Sequence, residues 1–177
     1  MKDLEFLINQ KYKIVKEETI SKLEIVSRFD KAPEKQKKAL RKFFGEDFFK
    51  VDITDRVKSF EDACDVLDRP TLLPSVSMLP EKHQKAIISH YKLITITEAL
   101  NEGWVPDWAN KSEYKWFPWW YVDPDSSHAG LANATTNYTA TLAAAYSGSR
   151  LGFKTEALAR YAADQFKDLY EAFLLFL

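Results

Sequence analysis

All five tryptophans of this 177-residue chain lie between Trp104 and Trp120. No other feature constrains the fold as strongly. Tyr114, Phe117 and Tyr121 stand in the same stretch, so that Trp116-Phe117-Pro118-Trp119-Trp120-Tyr121 is almost continuous. On an extended backbone successive side chains point to opposite faces. A strand here puts bulky rings on both sides. One face can enter a core, and the other needs a further element, a partner or a ligand over it. Rings offer large contact areas at low entropic cost, which is why binding surfaces use them, and sugars and unpaired bases stack on such faces. The competing reading is that a helix covers the second face and every tryptophan is structural.

Tyr114 to Val122 reads as a strand that Pro118 confines to an edge or a bend. Asp123 to Gly130 is a polar turn, Thr135 to Tyr146 a second strand, and Ser149 to Lys154 a short third one. Helices occupy most of the rest. Pro33 and Gly45 punctuate a helix over Pro33–Phe44, and Ser59 with Asp62 resembles a capping box for Phe60–Leu67. Pro80 opens a long central helix ending near Asn101-Glu102-Gly103. Ala86, Ile87, His90, Tyr91, Leu93, Ile94 and Leu100 form its apolar face, although Ile87 to Thr97 is β-branched enough to leave a strand open. Thr155 caps a long C-terminal helix from Glu156 to about Phe176, with Leu158, Ala162, Phe166, Leu169, Phe173 and Leu177 on its apolar side. A short strand at Lys13–Lys16 and a short helix at Ile20–Phe29 complete the reading. The predicted class is α+β: helices packed on one face of a small antiparallel two- to three-stranded sheet. A single domain over 1–177 is expected, with 1–57 its less readable part. Arg69 to Pro80, with three prolines, is an ordered surface connector.

A 46% hydrophobic fraction excludes disorder over most of the chain. One cysteine, Cys64, excludes an internal disulfide and any multi-cysteine metal site, and its acidic neighbours Asp62, Asp65 and Asp68 argue for a core residue over a reactive thiol. Met1 to Tyr12 shows no secretory signal, so a cytoplasmic protein without membrane association is expected, and the glycosylation patterns at Asn110, Asn133 and Asn137 read as accidental. Net charge is −1, but residues 1–60 carry +4 and residues 61–177 carry −5. That split orients a partner and is too mild to announce nucleic acid.

His83 and His90 lie two turns apart on one helix, roughly 10 Å, too far to share a metal ion. His128 sits in a turn with Asp123, Asp125, Ser126 and Ser127. That constellation could form a nucleophilic site, but its spacing fits no nucleophile elbow. The same turn half-resembles a calcium loop, except that Ala134 stands where a bidentate Glu is needed. Ser147-Gly-Ser-Arg150 lacks any phosphate-loop pattern, so Arg150 and Lys154 are left as candidate anion contacts beside a turn and a helix cap. Lys35, Lys38 and Lys42 line one face of the Pro33–Phe44 helix, either as a solvated surface or as a phosphate-binding face. No catalytic residue, metal ligand or cofactor fingerprint emerges.

The strings Lys58-Ser-Phe-Glu-Asp-Ala-Cys64, Tyr91-Lys-Leu, Glu98-Ala-Leu-Asn-Glu-Gly-Trp-Val-Pro-Asp-Trp108, Tyr114-Lys-Trp-Phe-Pro-Trp119 and Gly148 to Tyr170 lie within a similarity that covers roughly residues 58–177. Together they resemble a family of small uncharacterised proteins found in gut Bacteroidetes genomes and their phages or prophages. The resemblance implies a bacterial or phage cytoplasmic setting and a mobile-element role; it carries over no site residue. The expectation is a non-catalytic binding or accessory protein whose contact surface is the aromatic-rich segment 104–121. Its binding residues are Trp104, Trp108, Trp116, Trp119, Trp120, Tyr121, Arg150 and Lys154. The partner is another protein or a second copy, reached through the aromatic segment or the apolar C-terminus. The alternatives are a nucleic-acid-binding module that adds the basic helix 33–44, and a small hydrolase or transferase centred on a histidine.

Overall fold

The computed structural model describes residues 20, 22–110, 112–123, 130–139 and 149–175, the stretch 130–139 by its backbone alone. The expected strand at Lys13–Lys16 and the turn holding His128 lie outside the described residues. The chain divides into two compact units, Met1–Val51 and Asp52–Leu177.

The first unit contains α1 (Lys22–Asp30), α2 (Glu34–Phe44) and a 3₁₀ turn over Glu46–Phe49. Pro33 precedes α2 with extended backbone, and Gly45 ends it at φ 84°, ψ 154°, a region closed to side chains with a Cβ. Among its described residues Val26 and Phe29 are the buried apolar ones, and Phe29 stacks on Phe49 at 3.9 Å while Phe44 stacks on Phe48 at 4.7 Å. Arg41 lies over the Phe29 ring, 5.1 Å from its centre. Lys35, Lys38 and Lys42 are exposed. Glu34 and Glu46, both within 4 Å of Arg41, line the same shallow depression as Lys38 and Lys42. That face is therefore of mixed charge.

The second unit begins with α3 (Ile53–Arg56), capped by Asp52, and α4 (Phe60–Val66). The Ser59 hydroxyl accepts from Asp62 N–H at 3.0 Å, and the Asp62 carboxylate returns to the N–H of Lys58 at 2.9 Å, a capping box displaced by one residue on its return side. After the connector comes α5 (Glu81–Leu100), the long central helix. Its β-branched run is helical because a buried face of Ser89, Leu93, Ile96, Thr97 and Leu100 follows the helical period against α4 and a C-terminal helix, with Thr95 and Ala99 buried on the adjoining side. Ile87 and Tyr91, expected on that face, are exposed instead.

Two strands follow, β1 (Lys115–Asp123) and β2 (Gly130–Thr139), paired antiparallel. Trp119 opposes Thr135 and Tyr121 opposes Ala132, so Asn133 and Ala134 share the place opposite Trp120. That bulge lies two residues beyond Pro118, which is itself paired regularly with Thr136. The expected third strand at Ser149–Lys154 is a 3₁₀ turn over Ser149–Leu151 followed by one bridge, Phe153 to Trp116. A three-residue turn leaves room for only one ladder step. The class α+β therefore holds loosely: seven α-helices dominate the described residues, and strand structure is confined to this pairing.

The expected single C-terminal helix is two, α6 (Glu156–Gln165) and α7 (Lys167–Leu174). Phe166 breaks them at φ −116°, ψ 26°, with neither glycine nor proline present. The two halves differ in their main partners: α6 packs on β1 and β2, and α7 chiefly on α5 with a smaller contact to β2. Ala159, Ala162 and Ala163 keep the buried face of α6 flat, while Phe166 and Tyr170 enter the core with Phe153, Leu93, Ile96 and Cys64. Phe173 stacks on His90 at 4.4 Å and Leu175 packs on the core, so these two residues of the apolar C-terminus are used within their own unit, while Leu174 is exposed. No helix among the described residues is long and apolar enough to cross a membrane.

Candidate binding site

The aromatic segment begins where α5 stops. Glu102 at φ 50° and Gly103 at φ 82° reverse the chain, and Asn101 locks the reversal from below. The Asn101 amide donates to the Gly152 carbonyl at 2.8 Å and accepts from Lys154 N–H at 3.0 Å. With the side chain only 4% exposed, these two bonds are the device that joins the helix end to the 3₁₀ turn. Each buried bond of this kind is worth about 1 kcal/mol, and its loss leaves a partner unsatisfied.

The turn from Trp104 to Tyr114 is organised by one ion pair. Glu113 accepts from the Trp104 indole N–H at 3.3 Å and from Asp107 N–H at 2.9 Å. Burial works against the charge on Glu113. The Lys115 ammonium and the N–H groups of Asp107 and Trp104 outweigh it and hold the carboxyl below its ordinary value. Lys115, 2% exposed, donates to the carbonyls of Asp107 (2.6 Å), Asn110 (3.0 Å) and Glu113 (2.9 Å), and lies 3.1 Å from the Glu113 carboxylate. Three donors meet three carbonyls, so the cation is fully compensated. Its Nζ also stands 5.7 Å from the centre of the Trp108 ring. The loop is thus rigid through hydrogen bonds rather than through a core of its own.

Beyond the loop, β1 sorts its rings by alternation. Trp116 and Trp120 pack against the core, the latter with its ring 4.4 Å from Tyr170. Trp119 and Tyr121 fall on the opposite face and are 45% and 63% exposed. Trp104 is half-buried, and Trp108 and Tyr114 are exposed. The expected group of eight binding residues is therefore divided. Trp116 and Trp120 are half-buried against the core, and Trp119 and Tyr121 form an outer stripe. Trp104, Trp108 and Arg150 meet in a separate cleft of about 430 Å³, which Ile94, Thr97 and Pro106 also line. Lys154 is committed to Glu102 by a 2.7 Å ion pair.

Two other sequence candidates have structural environments. His90 is half-buried; burial, then the nearby charge of Arg150, pushes its pKa down. Among the described residues no carboxylate or nucleophile hydrogen-bonds it. Cys64 is buried in the core, and burial followed by the Glu61 charge raises its thiol pKa, the opposite of what activates a cysteine. Among the described residues no group of three or more metal-ligating side chains is present.

Glu113, Lys115 and Asn101 did not register as site residues in the sequence. The one available signal was a lysine at the head of an otherwise aromatic strand, at a place where a solvated side chain is the ordinary reading. No protein-family model matches this chain, and neither a curated protein nor a solved structure matches it.

Proposed function

We propose that this chain is a binding or accessory protein without catalysis of its own, and that segment 104–121 is its contact surface. The observation that supports this is the exposure of Trp119 and Tyr121 on the outer face of β1, while Trp116 and Trp120 anchor the same strand from within. Large rings held open on a fixed backbone lose little entropy on contact. The reading takes the β1–β2 pair, extended by the Phe153 bridge, as a two- to three-stranded platform with helices on its inner side. It takes the partner to be another protein or a second copy of this chain. A cytoplasmic, phage- or prophage-related setting belongs to the same proposal and rests on the sequence resemblance alone.

Photo-crosslinking tests it. A benzophenone amino acid at Tyr121 is expected to capture a discrete partner or a second copy, and the same group at Arg160, on the polar side of α6, to capture neither. Trp119→Ala should abolish capture. Equal yields from the two positions would overturn the reading. Capture of nucleic acid that weakens steeply with salt would move it to the alternative in which the exposed lysines of α2 take part.

A further inference from the structure

The cleft at the end of α5 has chemistry that the outer stripe lacks. It holds one exposed guanidinium, Arg150, which makes no hydrogen bond or ion pair with any described residue. The neighbouring charges are committed: Glu98, also in the cleft wall, is held by both arms of the Arg69 guanidinium at 2.5 and 2.7 Å, and Lys154 is held by Glu102. Among the described residues, a single uncommitted cation lining the cleft with the indoles of Trp104 and Trp108 defines the occupant. We propose that this cleft binds a small planar aromatic monoanion, a carboxylate carried on one ring.

Each part of that description has its own source. The guanidinium fork matches a carboxylate with two parallel hydrogen bonds. Among the described residues a dianionic phosphate would meet one free cation. The apolar wall from Ile94, Pro106 and the two indoles favours a ring over a short aliphatic acid. At about 430 Å³ the cleft lies near the lower end of small-ligand sites, which span about 300–1,000 Å³. The wall is also set in advance. Trp104 is held through its N–H by Glu113, and the loop bearing Trp108 is held by the carbonyl cage around Lys115, so little ordering remains to oppose binding.

The inference rests on the reading of 104–121 as a contact segment, but its test uses residues that the crosslinking does not, so either can fail alone. The full chain, labelled with ¹⁵N, is titrated with benzoate, with benzyl alcohol (the same ring without charge) and with acetate (the charge without a ring). Indole N–H resonances are assigned by Trp104→Phe and Trp108→Phe. Benzoate should shift the Trp104 and Trp108 signals saturably. The two half-ligands should bind about tenfold more weakly or worse, and Arg150→Gln should weaken benzoate by about tenfold or more while leaving the remaining spectrum in place. Equal binding of benzyl alcohol or of acetate would overturn the proposal. So would benzoate shifts that survive Arg150→Gln, shifts confined to Trp119, or no saturable shift at all.

Discussion

The two faces of β1 are one residue apart in sequence and opposite in physics. Trp116 and Trp120 look inward and are partly buried against a core built from Phe153, Phe166 and Tyr170. Trp119 and Tyr121 look outward and keep about half of their surface or more exposed. Between these extremes lies Lys115. It shares the outward phase with Trp119 and Tyr121 but is covered because the carbonyls of Asp107, Asn110 and Glu113 close over it. Strand phase therefore selects the face, and local cover selects burial. A large ring is structural on one side of this strand and available on the other.

The largest effect expected from this contrast belongs to Trp120→Ala. Removing a ring packed on Tyr170 should cost about 3–5 kcal/mol in chemical denaturation. A cost as small as that of the outer rings would break the comparison. Next comes Lys115→Met, which leaves three carbonyls and the Glu113 carboxylate facing an apolar side chain. A loss of about 2–3 kcal/mol is expected, together with a displaced Trp104 indole N–H resonance, since both depend on the same cage. An unmoved Trp104 signal would show that the cage does not set the loop.

A smaller effect concerns acid. The folded Glu113 carboxyl sits below its ordinary value, so at mildly acid pH the unfolded chain binds more protons than the folded one. The stability it contributes is complete above the unfolded carboxyl value of about 4.3 and is lost as pH falls through the lower folded value. Denaturation midpoints measured from neutral pH downward should fall less steeply in Glu113→Gln than in the parent across that window. Identical slopes would remove Glu113 from the account. Smallest of all, Trp119→Ala and Tyr121→Ala should each change stability by no more than about 0.5–1 kcal/mol. Their consequence should appear in crosslinking yield instead, which sharpens the division between anchoring and contacting rings.

Much of this organisation is legible in the chain alone. Pro33 and Gly45 bracket α2, and Ser59 with Asp62 marks the start of α4. Thr155 caps α6 by accepting from Leu158 N–H at 3.3 Å. Each is a short-range rule in which the residue that sets the backbone is also the one that satisfies it. The concentration of rings at 104–121, and their division by alternation, follow from the same local geometry. The break at Phe166 has no local cause, since nothing in Gln165-Phe166-Lys167 opposes a helix; it exists because α6 and α7 meet different surfaces.

Local residue preferences determined where helices begin, where most of them end, and that aromatic side chains would face both ways along one strand. Tertiary structure alone decided which rings became anchors. It also brought Arg150 beside Trp104 and Trp108, and buried Lys115 among carbonyls five to eight residues upstream and beside it. The reason is range: caps and turns satisfy their own hydrogen bonds within about four residues, whereas the Lys115 cage needs carbonyls up to eight residues away to turn back on it, and the cleft needs Arg150 brought to segments about fifty residues earlier in the chain.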